Sequence, residues 1–149
     1  IRDSGNASIQ SKRLCEITRQ SMIEGIKAVR PGATTGDIGA AIQEYAEANK
    51  YSVVREYCGH GIGKNFHESP QILHYGKKNT GVRLEEGMIF TIEPMINVGS
   101  YKTKLLNDGW TVVTQDHDLS AQYEHTVLVT SDGSEILTIR TEEDESEFK

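Results

Sequence analysis

Cysteine, basic charge and long apolar runs are all scarce in this 149-residue chain, and each scarcity excludes something. The two cysteines, Cys15 and Cys58, lack the paired spacing of a thiolate metal site and are too few for a disulfide framework. A reduced, cytoplasmic setting is the expectation. Lys and Arg number 16 against 22 acids, a net charge of −6. There is no basic stripe of the kind that follows nucleic acid. No apolar run approaches the roughly 20 residues of a membrane span, and no charged-then-apolar leader opens the chain. Neither nucleic acid nor a membrane is an expected partner. No Gly-x-Ser-x-Gly elbow is present, and Gly59–Lys64 has glycines and a lysine without the order of a phosphate loop.

The charge that is present is unevenly spread. Residues 141–149 hold Glu142, Glu143, Asp144, Glu145 and Glu147 against Lys149. The expected organisation is one domain over residues 1–140 and an acidic, solvated C-terminal tail over 141–149. The first residue is Ile1 rather than Met, which reads as a chain that begins inside a longer one or after processing.

The expected elements follow from periodicity. Ile1–Ala7 reads as a loop. Leu14, Ile17, Met22, Ile26 and Val29 recur at helical spacing, so a first helix is expected from about Ser8 to Val29, stopped by Pro31-Gly32. Thr34-x-x-Asp37 resembles a capping box with Asp in place of Glu and opens a second helix that fades at Asn49-Lys50. Strands are expected at Ser52–Tyr57, Met88–Val98, Trp110–Thr114, Gln122–Thr130 and Glu135–Ile139, with Cys58–Tyr75 neither helix nor strand. Two helices followed by a run of strands predict an α+β fold, two helices packed on a mainly antiparallel sheet.

Several side chains sit where chemistry is at home. His60, His67 and His74 are spaced by seven, and His60 lies between glycines in Gly59-His60-Gly61-Ile62-Gly63. Such histidines are either structural or ligands. Glu93 and Glu124 interrupt otherwise apolar strand patterns. Each either binds a cation or points to water from a strand edge, and Pro94 favours an edge. One imidazole with two carboxylates suits Zn, Mn, Fe or Co and makes metal-assisted hydrolysis the natural reaction class. Cys58 beside His60 is a poor nucleophile pair, because residues so close in sequence rarely aim at each other.

These residues carry a resemblance. Tyr57-Cys58-Gly59-His60-Gly61-Ile62-Gly63-Lys64-Asn65-Phe66-His67, continuing to Ile72-Leu73-His74-Tyr75, resembles the signature of bacterial type I methionine aminopeptidases. Phe90-Thr91-Ile92-Glu93-Pro94-Met95 and Ser120-Ala121-Gln122-Tyr123-Glu124-His125-Thr126 resemble the two later metal-binding strands of that family, and Asp108-Gly109-Trp110-Thr111 fits as well. The resemblance implies a pita-bread fold of two related halves with a divalent metal pair (Co, Mn, Fe or Zn) between them. It implies an activity that removes the N-terminal methionine from nascent proteins. By position, His60 and Glu93 resemble ligands of one metal, and Glu124 the carboxylate that bridges both. His67 resembles the catalytic histidine that contacts the scissile peptide. Phe66 and Trp110 resemble walls of the methionine pocket, and Tyr57 borders it.

The departure is at the N-terminus. The family has five ligands, two of them aspartates that would precede the first helix, and neither of their motifs is present. Asp3 is the only acid before Glu16. The chain resembles the C-terminal half of such an enzyme, with one metal or none and impaired activity by itself. Its expected partners are methionyl peptides or nascent chains, the missing half, or a second copy. The competing expectation is a non-catalytic binding protein of the same descent.

Overall fold

A computed structural model describes residues 5–148. Asp3 and most of the expected N-terminal loop lie outside the described residues, as does Lys149.

Helix α1 spans Ile9–Lys27. The Ser8 side chain caps it by accepting from the Ser11 N–H at 3.1 Å. Leu14, Ile17, Met22, Ile23 and Ile26 form its buried stripe. Helix α2 spans Thr35–Ala48, and its capping box is complete. The Asp37 N–H donates to Thr34 Oγ1 at 3.3 Å, and the Thr34 N–H donates to Asp37 Oδ2 at 2.7 Å. Asp therefore substitutes for the usual Glu at this position. The two helices pack side by side against the sheets. Among the described residues, no helix is long and apolar enough to cross a membrane.

Ten short strands follow. They are β1 (Ser52–Val53), β2 (Gly59–Gly61), β3 (Glu68–Ile72), β4 (Ile89–Ile92), β5 (Met95–Asn97), β6 (Thr103–Leu105), β7 (Val112–Thr114), β8 (Ser120–Gln122), β9 (His125–Val129) and β10 (Ser134–Ile136). A five-stranded sheet runs β10-β9-β4-β2-β3, a three-stranded sheet β1-β5-β8, and β6-β7 is a separate hairpin. Every ladder is antiparallel, and the α+β expectation holds. Phe90, Ile92, Ile96, Val127 and Val129 meet Met22, Ile26, Ile38 and Ile42 from the helices in one core.

Four expectations are corrected. First, the segment 58–75 contains two strands. Gly59 and Gly61 hide them from pattern reading because they carry no side chain to alternate. The same glycines make the pairing possible. A Cβ at Gly59 would stand 2.2 Å from the Thr91 carbonyl oxygen, and one at Gly61 2.1 Å from that of Ser69.

Second, the long strand expected over 88–98 is two strands, broken at Glu93-Pro94. Third, the strand expected over 122–130 is also two, broken at Tyr123-Glu124. The breaks are the same feature. β4 pairs β9 with Ile92 opposite His125, and β5 pairs β8 with Met95 opposite Gln122. That single register carried through the gap sets Glu93 opposite Glu124. A polypeptide ribbon thus leaves one sheet for the other at a seam where two carboxylates face each other.

Fourth, the acidic tail is largely exposed, as expected, but its end is anchored rather than free. A 3-10 helix at Glu145–Phe148 brings Phe148 down to 6% exposure within the core, and the Arg19 guanidinium of α1 pairs with Glu147. Acid content marks the tail as soluble, but one aromatic residue is enough to dock it.

Candidate metal centre

His60 is the middle residue of β2, held between β3 and β4. Its Nδ1 lies 3.1 Å from the Gly61 carbonyl oxygen. A carbonyl only accepts, so Nδ1 carries a hydrogen, and in the neutral tautomer this leaves a lone pair on Nε2. That lone pair faces Glu93 Oε1 at 3.6 Å, too far for a hydrogen bond.

Glu93 is fixed from several sides. Oε1 accepts from Thr91 Oγ1 at 2.8 Å, and Oε2 accepts from Gln122 Nε2 at 3.2 Å. Its backbone N–H donates to His74 Nε2 at 3.1 Å. Burial pushes the Glu93 carboxyl above its ordinary value; the Thr91 hydrogen bond opposes the shift and the Glu124 charge adds to it. Thr91 serves both residues, since the His60 N–H donates to the same hydroxyl at 3.0 Å.

The remaining histidines divide. His67 is exposed, and its ring lies 4.1 Å from that of His60 between centroids. Phe66 meets His67 edge-on at 4.6 Å and His60 at 5.5 Å. His74 is buried, and burial pushes its pKa down to about 3. It is the neutral acceptor that holds the Glu93 backbone. Cys58 is not an activated thiol: burial raises its pKa, and the Glu93 charge raises it further.

An imidazole whose far nitrogen is anchored on a carbonyl, with its near lone pair aimed at a carboxylate, is the usual posture of a metal-ligating histidine. The 3.6 Å separation is close to the ~3.4 Å between two ligands of a tetrahedral zinc-like ion. The pair fits a divalent cation. The third expected ligand is less closely drawn in. Glu124 is exposed, and among the described residues no group of three His, Cys, Asp or Glu side chains is gathered tightly enough to hold a metal. Facing carboxylates repel, which opposes their convergence.

The profile of metallopeptidase family M24 matches residues 3–131. The chain belongs to family M24. It is 57% identical over 139 residues to the methionine aminopeptidase of Salmonella typhimurium, covering 93% of this chain and 53% of that protein. The crystal structure of methionine aminopeptidase from Rickettsia prowazekii superposes with a TM-score of 0.89 at 59% identity, over 91% of this chain and 55% of that one. A prolidase from Pyrococcus horikoshii shares the fold more distantly, with a TM-score of 0.68 and 25% identity. The chain spans about half the length of these methionine aminopeptidase relatives.

Of the candidate site residues expected from sequence, His60, Glu93, His67 and Phe66 stand together, with Glu124 opposite Glu93. Trp110 lies in the turn between β6 and β7 and is 87% exposed; Tyr57 is 39% exposed just before β2. Thr91 and Gln122 were not expected to serve the site, and for His74 the sequence left a structural and a ligand role open. A signal for Thr91 was available, since it precedes Glu93 by two and its hydroxyl reaches the carboxylate; Gln122 reaches Glu93 across the seam, which residue order does not show. His74 belonged to the spacing of seven, which said nothing of its burial.

Proposed function

We propose that this chain carries half of a metal-dependent aminopeptidase that removes N-terminal methionine from nascent proteins. The observation that bears the reading is the posture of His60, anchored through Nδ1 with Nε2 facing Glu93. In this reading His60, Glu93 and Glu124 hold a divalent ion: Mn, Co, Fe or Zn by the chemistry of the donors. Such an ion supplies Lewis acidity, which polarises a carbonyl and lowers the pKa of water.

The chain's own residues do the rest. Thr91 and Gln122 keep both Glu93 oxygens oriented, and His74 fixes the backbone from which they project. His67 is exposed beside His60 and can donate an N–H to the oxygen that gains charge as the peptide carbonyl is attacked. Phe66 offers an apolar ring at the same place, and Trp110 and Tyr57 complete a methionine wall once other parts of the enzyme bring them close. Residues 1–140 form the catalytic portion, and the cytoplasm, where nascent chains are made, is the fitting compartment.

The test is methionine release from a Met-Ala-Ser peptide with Mn(II), by this chain alone and with the remaining half of a relative added in trans. Release that requires the added half and vanishes in Glu124→Ala supports the reading. No release in either case contradicts it. A second reading, a binding protein with at most one metal, draws on the close approach of only two of the three ligands. It predicts peptide or metal binding without turnover.

A further inference from the structure

We propose that the C-terminal segment is a clasp that positions Glu124, and that Glu143 acts in it through His125. The inference rests on the reading of Glu124 as a ligand. Successive residues of a strand point to opposite faces. Glu124 is exposed at the seam, and His125, the first residue of β9, is fully buried on the other side. Whatever fixes the His125 ring fixes the rotation of the backbone that carries Glu124.

The ring is held by a closed circuit of hydrogen bonds from the tail. His125 Nε2 lies 3.2 Å from Glu143 Oε1, and Nδ1 lies 3.0 Å from Thr138 Oγ1. The Thr126 N–H donates to the same Thr138 oxygen at 3.0 Å, so the hydroxyl hydrogen is free to go to Nδ1. Nε2 then carries the ring hydrogen and donates to Glu143. The Arg140 N–H donates to Glu143 Oε2 at 2.9 Å and its Nη1 to Oε1 at 3.1 Å. Phe148 closes over the ring edge-on at 5.5 Å between centroids. The Arg19 guanidinium stands 5.9 Å from the Phe148 ring centre and ties the tail to α1. Glu143 touches no part of the proposed metal site, so it is a positioning residue.

The test is calorimetric titration with Mn(II) of the wild-type chain, Glu143→Ala, Glu143→Gln and Ile38→Val, each shown by circular dichroism to be folded at the working temperature. Ile38→Val trims the core under α2 and serves as the control for lost stability alone. Glu143→Ala is expected to weaken Mn(II) binding about tenfold or more, the scale seen when an outer partner of a metal ligand is removed. Glu143→Gln keeps an acceptor for Nε2–H and is expected within about threefold of wild type by the same measure. Ile38→Val is expected to lower the melting midpoint and leave the affinity alone. Should Glu143→Ala not fold, Glu143→Asp draws the carboxylate back by one methylene and carries the same expectation. An unchanged affinity in Glu143→Ala, or an equal loss in Ile38→Val, overturns the clasp while sparing the function proposed above. A wild-type chain that takes up no Mn(II) overturns the clasp and the reading of Glu124 as a ligand within this chain, while the proposed function stands or falls by peptide release with the added half.

Discussion

Two histidine–glutamate pairs stand out among the described residues, His60 with Glu93 and His125 with Glu143, and they are built differently. His125 and Glu143 are saturated: every ring nitrogen and both carboxylate oxygens have a partner of the right sense. His60 and Glu93 stop short of each other at 3.6 Å, although each is held firmly from behind. The first pair has its bonding capacity spent within the fold. The second has a lone pair and a carboxylate turned toward the same gap. A histidine beside a glutamate means little until the partners of the other ring nitrogen are counted.

The comparison can be broken most forcefully by truncating the two histidines. His125→Ala empties a fully buried site and strands Glu143, and should cost about 3–4 kcal/mol in chemical denaturation. His60→Ala should cost no more than about 1 kcal/mol and should abolish metal uptake. Equal stability losses would erase the distinction drawn between the pairs.

The third histidine sharpens it through pH. His74 is held near a pKa of about 3 against an ordinary value of 6.5, so the unfolded chain binds the proton that the folded chain refuses. Its contribution is fully present above pH 6.5 and is lost as the pH falls, at ~1.4 kcal/mol per pH unit from this group. His74→Gln keeps an acceptor for the Glu93 N–H and should flatten that part of the profile. An unaltered slope in denaturant midpoint against pH would show that His74 is not the group responsible.

Glu93 shifts in the opposite sense. Its folded pKa is raised, so its contribution is intact below the unfolded value near 4.5 and declines as the pH rises through the raised value. Glu93→Gln should therefore raise the melting midpoint at neutral pH in metal-free buffer, with the gain fading toward pH 4. A lower midpoint at pH 7 would contradict the account of a carboxylate held at a cost by burial and, in lesser part, by the Glu124 charge. The smallest effect belongs to the rim of the clasp: Arg19→Ala, losing a surface ion pair and a ring contact, should cost about 0.5–1 kcal/mol by the same denaturation assay.

Much of this architecture was legible from residue order alone. Both helices follow from apolar spacing, and the Thr34–Asp37 cap was plain. His60, Glu93 and Glu124 were visible as polar residues in apolar or glycine-rich surroundings, and the family resemblance gathered them into one site. Strands β2 and β3 were not legible, because a strand of Gly-His-Gly has no alternation to read and its pairing depends on the absence of Cβ atoms. The two breaks were not legible either. Pro94 hints at one, but Tyr123-Glu124 carries no breaker; its gap exists because β8 and β9 must mirror β5 and β4. The docking of Phe148 was masked by five acidic neighbours, and the roles of His74 and Glu143 depend on burial, which local sequence does not report.

The most direct test of the central claim is the number of Mn(II) ions bound per chain in wild type and in His60→Ala, read by calorimetric titration. The account predicts one ion in the wild type and none in His60→Ala. No saturable binding in the wild type, or an ion that survives the loss of His60, would contradict it.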